Sequence, residues 1–417
     1  MPTADLLARR LFHCLPRTDQ RRWAGAYLSG LLGTPGKKSV RNMARSTAAL
    51  GAASQSLHQV VNASTWDWNP VRRELAAWCG EQAGVRALRM VPVVIPKRGE
   101  CSAGVHRRFD PAGGRTLSCQ LALGLFLVTD LGSVPVDWRL CLPGRWSEDD
   151  ELCERARIPA AARTAPTPHP GLGLDQAAEA AAAHASAAGV PVVAEAATEA
   201  PADAVRLVAG LAGRSLGFAV SVPPGTPVLC GPPGDRAPHT TTVARLAARL
   251  GPAASPLAGG RLRRAPALIR VPGVARPLAL LTEWDPAAPD RPAKHWIADP
   301  DGRTLAAARF SLSAATSLSL ATSMEVLEDC GLLDFEGRSF PGWHRHMTLV
   351  SAAAAHRLLS APRRTARTAP DRTVDRAAAD RALAADRAAA ADRTLTADRA
   401  RTSDRAHPRA RAHAFSG

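Results

Sequence analysis

No run of eighteen or more apolar residues occurs in this 417-residue chain, which excludes a sequence-evident membrane-spanning helix. The N-terminus "MPTADLLARRLFHCLPRTDQRRW" lacks the long apolar core and small-residue cleavage site of a secretory signal. A cytoplasmic protein is expected. No cysteine forms a CxxC pair, and the eight (Cys14, Cys79, Cys101, Cys119, Cys141, Cys153, Cys230, Cys330) show no zinc-knuckle spacing. Reduced, mostly buried thiols are expected. Lysine is scarce: Lys37, Lys38, Lys97 and Lys294 are the only four among 53 basic residues. Arginine suits phosphate geometry, but the abundance of Ala, Gly and Pro around it fits a GC-rich codon bias equally well. Acids at strand ends are also few.

What the chain does have is positive charge, +16 in total, and its placement is uneven. Residues 1–89 carry 13 basic residues against 5 acids, and residues 361–417 carry 13 Arg against 7 Asp, leaving the middle nearly neutral. A polyanionic partner is implied. A hydrophobic content of 46% predicts that most of the chain is globular.

Periodicity divides the chain into three. Residues 1–88 read as helical and basic. "ADLLARRLFHCLP" and "RTDQRRWAGAYLSGLLG" place Leu, Phe, Trp and Tyr at helical spacing. "STWDWNPVRRELAAWCGEQAG" is a further helix, with Ser64 or Thr65 as its cap, a Val71/Leu75/Trp78 stripe, and Arg72 and Arg73 on the exposed side. From residue 89 to 360 the period changes. "RMVPVVI", "TLSCQLALGLFLVT" and "VPVDWRLCLP" read as adjacent antiparallel strands. "VPVVAE", "ADAVRLVAGLAG" and "SLGFAVSV" alternate strand, helix, strand, which indicates an α/β layer. Residues 222–300 read as an irregular or β insertion. After 361 the dipeptide Asp-Arg recurs seven times among Ala and Thr. Such a segment builds no apolar face, so a disordered tail is expected.

Several stretches invite chemistry. "GLLGTPGKKS" fails as a phosphate loop: the required Gly at 31 is Leu, and Lys38 separates Lys37 from Ser39. "KKSVRNMAR" reads as a basic helix whose Lys37, Lys38, Arg41 and Arg45 form a cationic stripe for a phosphate backbone. His344 and His346 stand two apart, too divergent on a helix to share a metal. "MVPVVIPKRGECSAGVHRRF" reads as a buried strand ending in a basic turn, yet it carries no acid before Glu100.

Five stretches, in order, resemble the bacterial insertion-sequence transposases of the DDE superfamily, of the type named after insertion sequence seven-oh-one. They are "QSLHQVVNASTWDWNPVRREL", "VIPKRGECSAGVHRRF", "SCQLALGL", "VPVDWRLCLPGRW" and "CGLLDFEGRSFPGWHRHMTLVSAA". The resemblance covers roughly residues 5–358. It implies an α/β fold with a ribonuclease-H-like mixed sheet and flanking helices, behind a helical DNA-binding region. Active members carry an Asp-Asp-Thr-Gly-Phe-Pro-Lys-Lys-Gly stretch. Setting Pro96-Lys97-Arg98-Gly99 on its end puts Val91 and Pro92 at the two Asp. The second acid falls on Glu195 and the third on Leu320.

The resemblance therefore implies vestigial catalytic positions at Pro92, Glu195 and Leu320. DNA contacts are expected from Lys37, Lys38, Arg41, Arg45, Arg72, Arg73, Lys97, Arg98, Arg107 and Arg108. The expected protein is a catalytically inactive, nucleoid-associated DNA binder, a homodimer by family resemblance only, with no small-molecule substrate and no cofactor. Two alternatives stay open. One is an active Mg²⁺-dependent enzyme with substitute acids, Glu195 joined by Asp130, Asp137 or Glu325. The other is a scaffold or decaying gene product without a DNA role.

Overall fold

A computed structural model describes residues 3–46, 53–110, 114–163, 175–176, 179, 189–195, 200–230, 239–250, 254–257, 262–285, 288–312 and 320–360. The tail expected after residue 361 lies outside the described residues, as do most of residues 174–188.

Five helices lead: α1 (Ala4–Phe12), α2 (Thr18–Gly33), α3 (Val40–Ser46), α4 (Ala53–Asn62) and α5 (Trp68–Gln82). Helix α1 turns Leu7, Leu11 and Phe12 inward, and the Thr3 hydroxyl accepts from the Leu6 N–H at its start. Helix α5 is capped by Asp67, which accepts from Asn69 N–H, and not by Ser64 or Thr65. Asp67 directly precedes the first helical residue, so its short carboxylate reaches the free amides.

Strands β1 (Val85–Pro96), β2 (His106–Asp110), β3 (Arg115–Thr129) and β4 (Gly132–Leu140) follow. Short helices α6 (Arg145–Glu148), α7 (Asp150–Arg155) and α8 (Ala160–Arg163) precede β5 (Val192–Ala194). Helix α9 (Pro201–Gly213) then links β5 to β6 (Phe218–Val222). Strands β7 (Pro227–Cys230) and β8 (His239–Thr242) pair apart from the main sheet. Beyond them come α10 (Val243–Leu250), β9 (Ser255–Pro256), β10 (Leu262–Ile269), β11 (Leu278–Asp285) and β12 (Ala288–Ala298). Helices α11 (Gly302–Leu312), α12 (Leu320–Asp329) and α13 (Phe340–Ser360) complete the described chain.

Strands β1, β3 and β4 form an antiparallel meander, while β1, β5 and β6 run parallel. The resulting order β4-β3-β1-β5-β6 is the ribonuclease-H-like arrangement. The insertion does not stand apart. Its strands β12, β11, β10 and β9 add in sequence to the β6 edge, extending the same sheet.

Residues Met1–Ala361 form one compact unit. The N-terminal helices have no separate core: one buried cluster runs from Leu7 through Trp66, Leu75, Phe126 and Trp138 to Leu359. Helix α13 is its axis, buried on nearly every side, as a helix without a polar face must be. Polar anchors fix it, among them the following. Tyr27 bonds His346 Nδ1 at 3.0 Å. Arg345 donates to the carbonyls of Trp66 and Val61. Trp138 Nε1 donates to Ser351 at 2.8 Å.

Candidate functional site

Strand β1 places the first site position. Its register with β3 is unbroken from Ala87↔Val128 to Pro96↔Cys119, so its side chains alternate strictly between faces. Arg89 and Val91 therefore share one face, and Pro92 takes the other. Glu195 follows β5, and its N–H donates to the Met90 carbonyl at 3.0 Å. Its side chain joins the Arg89 face through a 2.7 Å bond from Arg89 Nη2. Of the two positions that resemblance marks as acids, Val91 is thus the one on the Glu195 face.

Pro92 has a backbone explanation. Leu88 N–H donates toward β5, to the Pro191 carbonyl, whereas Lys97 N–H donates toward β3, to Ser118. Even-numbered amides of β1 thus face β5. Strand β5 ends at Ala194, so a proline at 92 removes a donor only where the parallel ladder stops. Across from Val91 stands Gly124. A Cβ there would meet the Phe126 ring at 2.8 Å and the Trp138 ring at 2.9 Å. Aromatic rings fill the space beside position 91.

Glu195 is already neutralised. Arg89 is buried and also donates to the Ser311 carbonyl at 2.5 Å. Lys294 on β12 donates to the second Glu195 oxygen at 3.1 Å. Burial pushes the Glu195 carboxyl up, but the charges of Arg89 and Lys294 outweigh it and hold the group below its ordinary value. Leu320, where the resemblance puts the third acid, opens α12 and packs half-buried against the main core. Its helix is tied to the start of β4 by Ser323 Oγ bonding the Ser133 carbonyl at 2.5 Å.

Two of the substitute acids are engaged elsewhere. Asp130 pairs with Arg86 at 2.9 Å, and Asp137 with Arg72 at 2.5 Å. Glu325 is exposed on α12. Among the described residues, no three His, Cys, Asp or Glu side chains gather as a metal site. A DDE centre implies two Mg²⁺ ions held by several carboxylates. One carboxylate already shared by two cations, with apolar Val91 next to it on the same sheet face, does not fit that demand.

The expected DNA contacts separate into two groups. Arg41 and Arg45 on α3, Arg73 on α5, Arg98 in the turn after β1, and Arg107 on β2 are exposed. Lys37 is exposed and pairs with Glu336 at 3.1 Å, and Arg108 is half-buried. The rest turn inward. Arg72, expected on the surface, is buried. It donates to Asp137, Trp138 O, Thr348 and the carbonyl and Nδ1 of His344. Lys38 precedes α3, so it does not share a helical stripe with Arg41 and Arg45. It is buried, and its Nζ donates to the carbonyls of Thr34 and Gly36. Lys97 is half-buried, donating to Phe335 O at 3.0 Å with its ammonium over the Phe335 ring. Burial pushes its amine down to about 8, with Lys37 adding to the fall and Asp334 opposing it.

The two central histidines are neutral. Arg72 can only donate, so His344 Nδ1 accepts at 3.1 Å and the proton sits on Nε2. His346 Nε2 donates to Gly331 O at 2.9 Å, so its Nδ1 accepts from Tyr27. Sequence reasoning missed Arg89 and Lys294. A signal existed for the first, since an arginine inside the buried run "VRALRMVPVVI" demands a partner.

A ribonuclease-H-like sheet with basic helices beside it defines the scaffold of a nucleic-acid-processing protein. A family model described as DDE superfamily endonuclease matches residues 10–263, and the chain belongs to this family. The match takes in Val91, Pro92 and Glu195 and ends before Leu320. A comparison with curated proteins gave no match.

Proposed function

We propose that this chain is a DNA-binding member of the DDE superfamily, of the insertion-sequence seven-oh-one type, that no longer cuts DNA. The observation that carries the reading is the Glu195 carboxylate held between Arg89 and Lys294, on the face where Val91 supplies no second acid. Protein cations occupy the charge that metal ions would need. Binding rests on the exposed arginines, Arg41, Arg45, Arg73, Arg98 and Arg107, in a chain of net charge +16. The partner is DNA, contacted through its phosphates; association as a homodimer at the nucleoid follows from the resemblance to transposases.

The test is binding and cleavage in parallel. Fluorescence anisotropy with duplex DNA should show log affinity falling linearly with log salt, by about 0.9 per phosphate neutralised. The same duplexes, incubated with Mg²⁺ or Mn²⁺, should stay intact. Metal-dependent cleavage by the purified chain sinks the loss of chemistry, and no binding at low salt sinks the DNA role.

A further inference from the structure

Strand β3 outruns β1. The β1 pairing ends at Pro96↔Cys119, while β2 continues along β3 from His106↔Cys119 to Asp110↔Arg115. Over residues 115–117 the β2–β3 pair has no β1 beside it. At about 3.3 Å per residue, this makes a two-stranded ribbon roughly 10 Å long. Among the described residues its surroundings are open. Gly114, at φ +61°, has no atom within 4 Å of a would-be Cβ, and Arg115 and Thr116 are exposed.

The ribbon has one distinct face. Alternation and pairing put Arg107, Phe109, Thr116 and Ser118 on the same side. Phe109 is 59% exposed, the most exposed large hydrophobic side chain among the described residues. A lone aromatic held out on a narrow ribbon contributes nothing to the core, and water around it is unfavourable. Beside it stand the exposed Arg107, two hydroxyl side chains, and Arg115 on the opposite side of the ribbon. No acid lies on the Arg107–Phe109 face of the described ribbon.

We infer that the β2–β3 ribbon is an arm that enters a groove of duplex DNA, with Phe109 against the bases and Arg107 on a phosphate. A two-stranded ribbon fits the major groove, about 12 Å wide. Charge complementarity selects the occupant: Arg107 lies two residues from the aromatic on its own face and Arg108 on the other, while Arg115 stands opposite Asp110 in the register. Phe109 supplies apolar contact with thymine methyl groups at the groove edge, a contact that salt does not screen. Arg107 supplies the salt-dependent part. The inference rests on the DNA reading above but adds a position outside the basic residues, Phe109, with a different energetic signature.

The experiment compares the full chain with Phe109→Ala, Phe109→Trp and Arg107→Ala, by anisotropy on duplex DNA at several salt concentrations. Phe109→Ala should weaken binding about tenfold with an unchanged salt slope, and Phe109→Trp should restore it. Arg107→Ala should lower the slope by about one. Thermal unfolding should match the parent for all three, because the side chains are exposed. If the parent binds with a steep salt slope and Phe109→Ala binds equally well, the arm is refuted and the DNA reading stands. If the parent does not bind, both fall. If Phe109→Ala instead abolishes a dimer seen by light scattering and leaves DNA binding intact, the ribbon is a self-association edge and the inference is overturned.

Discussion

The Arg89 guanidinium donates to the Glu195 carboxylate at 2.7 Å, with 10% and 19% of the two side chains exposed. This pair joins β1 to the end of β5 at the point where the resemblance puts two catalytic acids. Its arginine also ties β1 to α11 through the Ser311 carbonyl. A carboxylate with this function is a structural group. Removing it strands a buried cation.

Glu195→Gln and Arg89→Met should each destabilise the fold by about 3 kcal/mol, the usual cost of breaking a buried pair from one side. The double variant should recover part of that loss, since it strands no charge. Urea unfolding of the four proteins measures the coupling. The native Glu195 carboxyl lies below its ordinary value. Its stabilisation is therefore present above the unfolded pKa, near 4.3, and fades as the pH falls through the folded one. Additive single-variant losses would show that the two side chains do not act as a pair.

Arg72 joins α5, β4 and α13 through five acceptors. Arg72→Ala should cost about 3 kcal/mol, because Asp137 and four further acceptors lose a charged donor. Arg72→Lys should recover little: an ammonium does not reproduce the planar fork. The salt slope of DNA binding should not change in Arg72→Lys protein that remains folded. A reduced slope with unchanged stability would return Arg72 to the phosphate contacts.

The strand order was largely legible, and the site was not. Runs such as "TLSCQLALGLFLVT" and "VPVDWRLCLP" are apolar enough, with turn residues between, to mark β3 and β4 directly. Strand β2 was overlooked because "HRRFD" is too polar to read as a strand. It forms by pairing with β3, a contact between segments. Helix α11 was missed for a similar reason: Leu305 and Ala308 face the sheet, but small alanines mark a stripe weakly. The orientation of Arg72 was misread because a long side chain beside an apolar stripe serves surface or interior equally well. Only Asp137, 65 positions away, decides it.

Acid should destabilise the protein before the carboxylates titrate. Burial pushes His346 down to about 4, with the Gly331 carbonyl opposing the fall and Lys97 adding to it. Burial and the neighbouring Arg72, Arg139 and Arg345 also hold His344 well below its ordinary value. In the unfolded chain both titrate near 6.5. Between about 6.5 and 4 the unfolded state binds more protons, so stability falls as pH falls through this window. His346→Gln, which keeps one donor and one acceptor, should flatten the slope. An unaltered slope would place the acid sensitivity elsewhere.

Val91→Asp alone should restore neither metal binding nor cleavage. The new carboxylate would be on the Arg89 face, two residues along β1, where the guanidinium already carries Glu195. Phe126 and Trp138 crowd the space across from it, over Gly124, leaving little room for a hydrated Mg²⁺, which keeps several waters. The acid would be buried next to a cation and should bind that cation. Replacing Arg89 and Lys294 by Ala in the same protein frees both carboxylates. Calorimetric titration with Mn²⁺ should then detect weak binding that is missing in Val91→Asp. Cleavage should still fail, because Leu320 brings an apolar side chain where the third ligand is needed. Strand cleavage by Val91→Asp alone would mean that Arg89 yields Glu195 to metal, and that the ion pair does not block the chemistry.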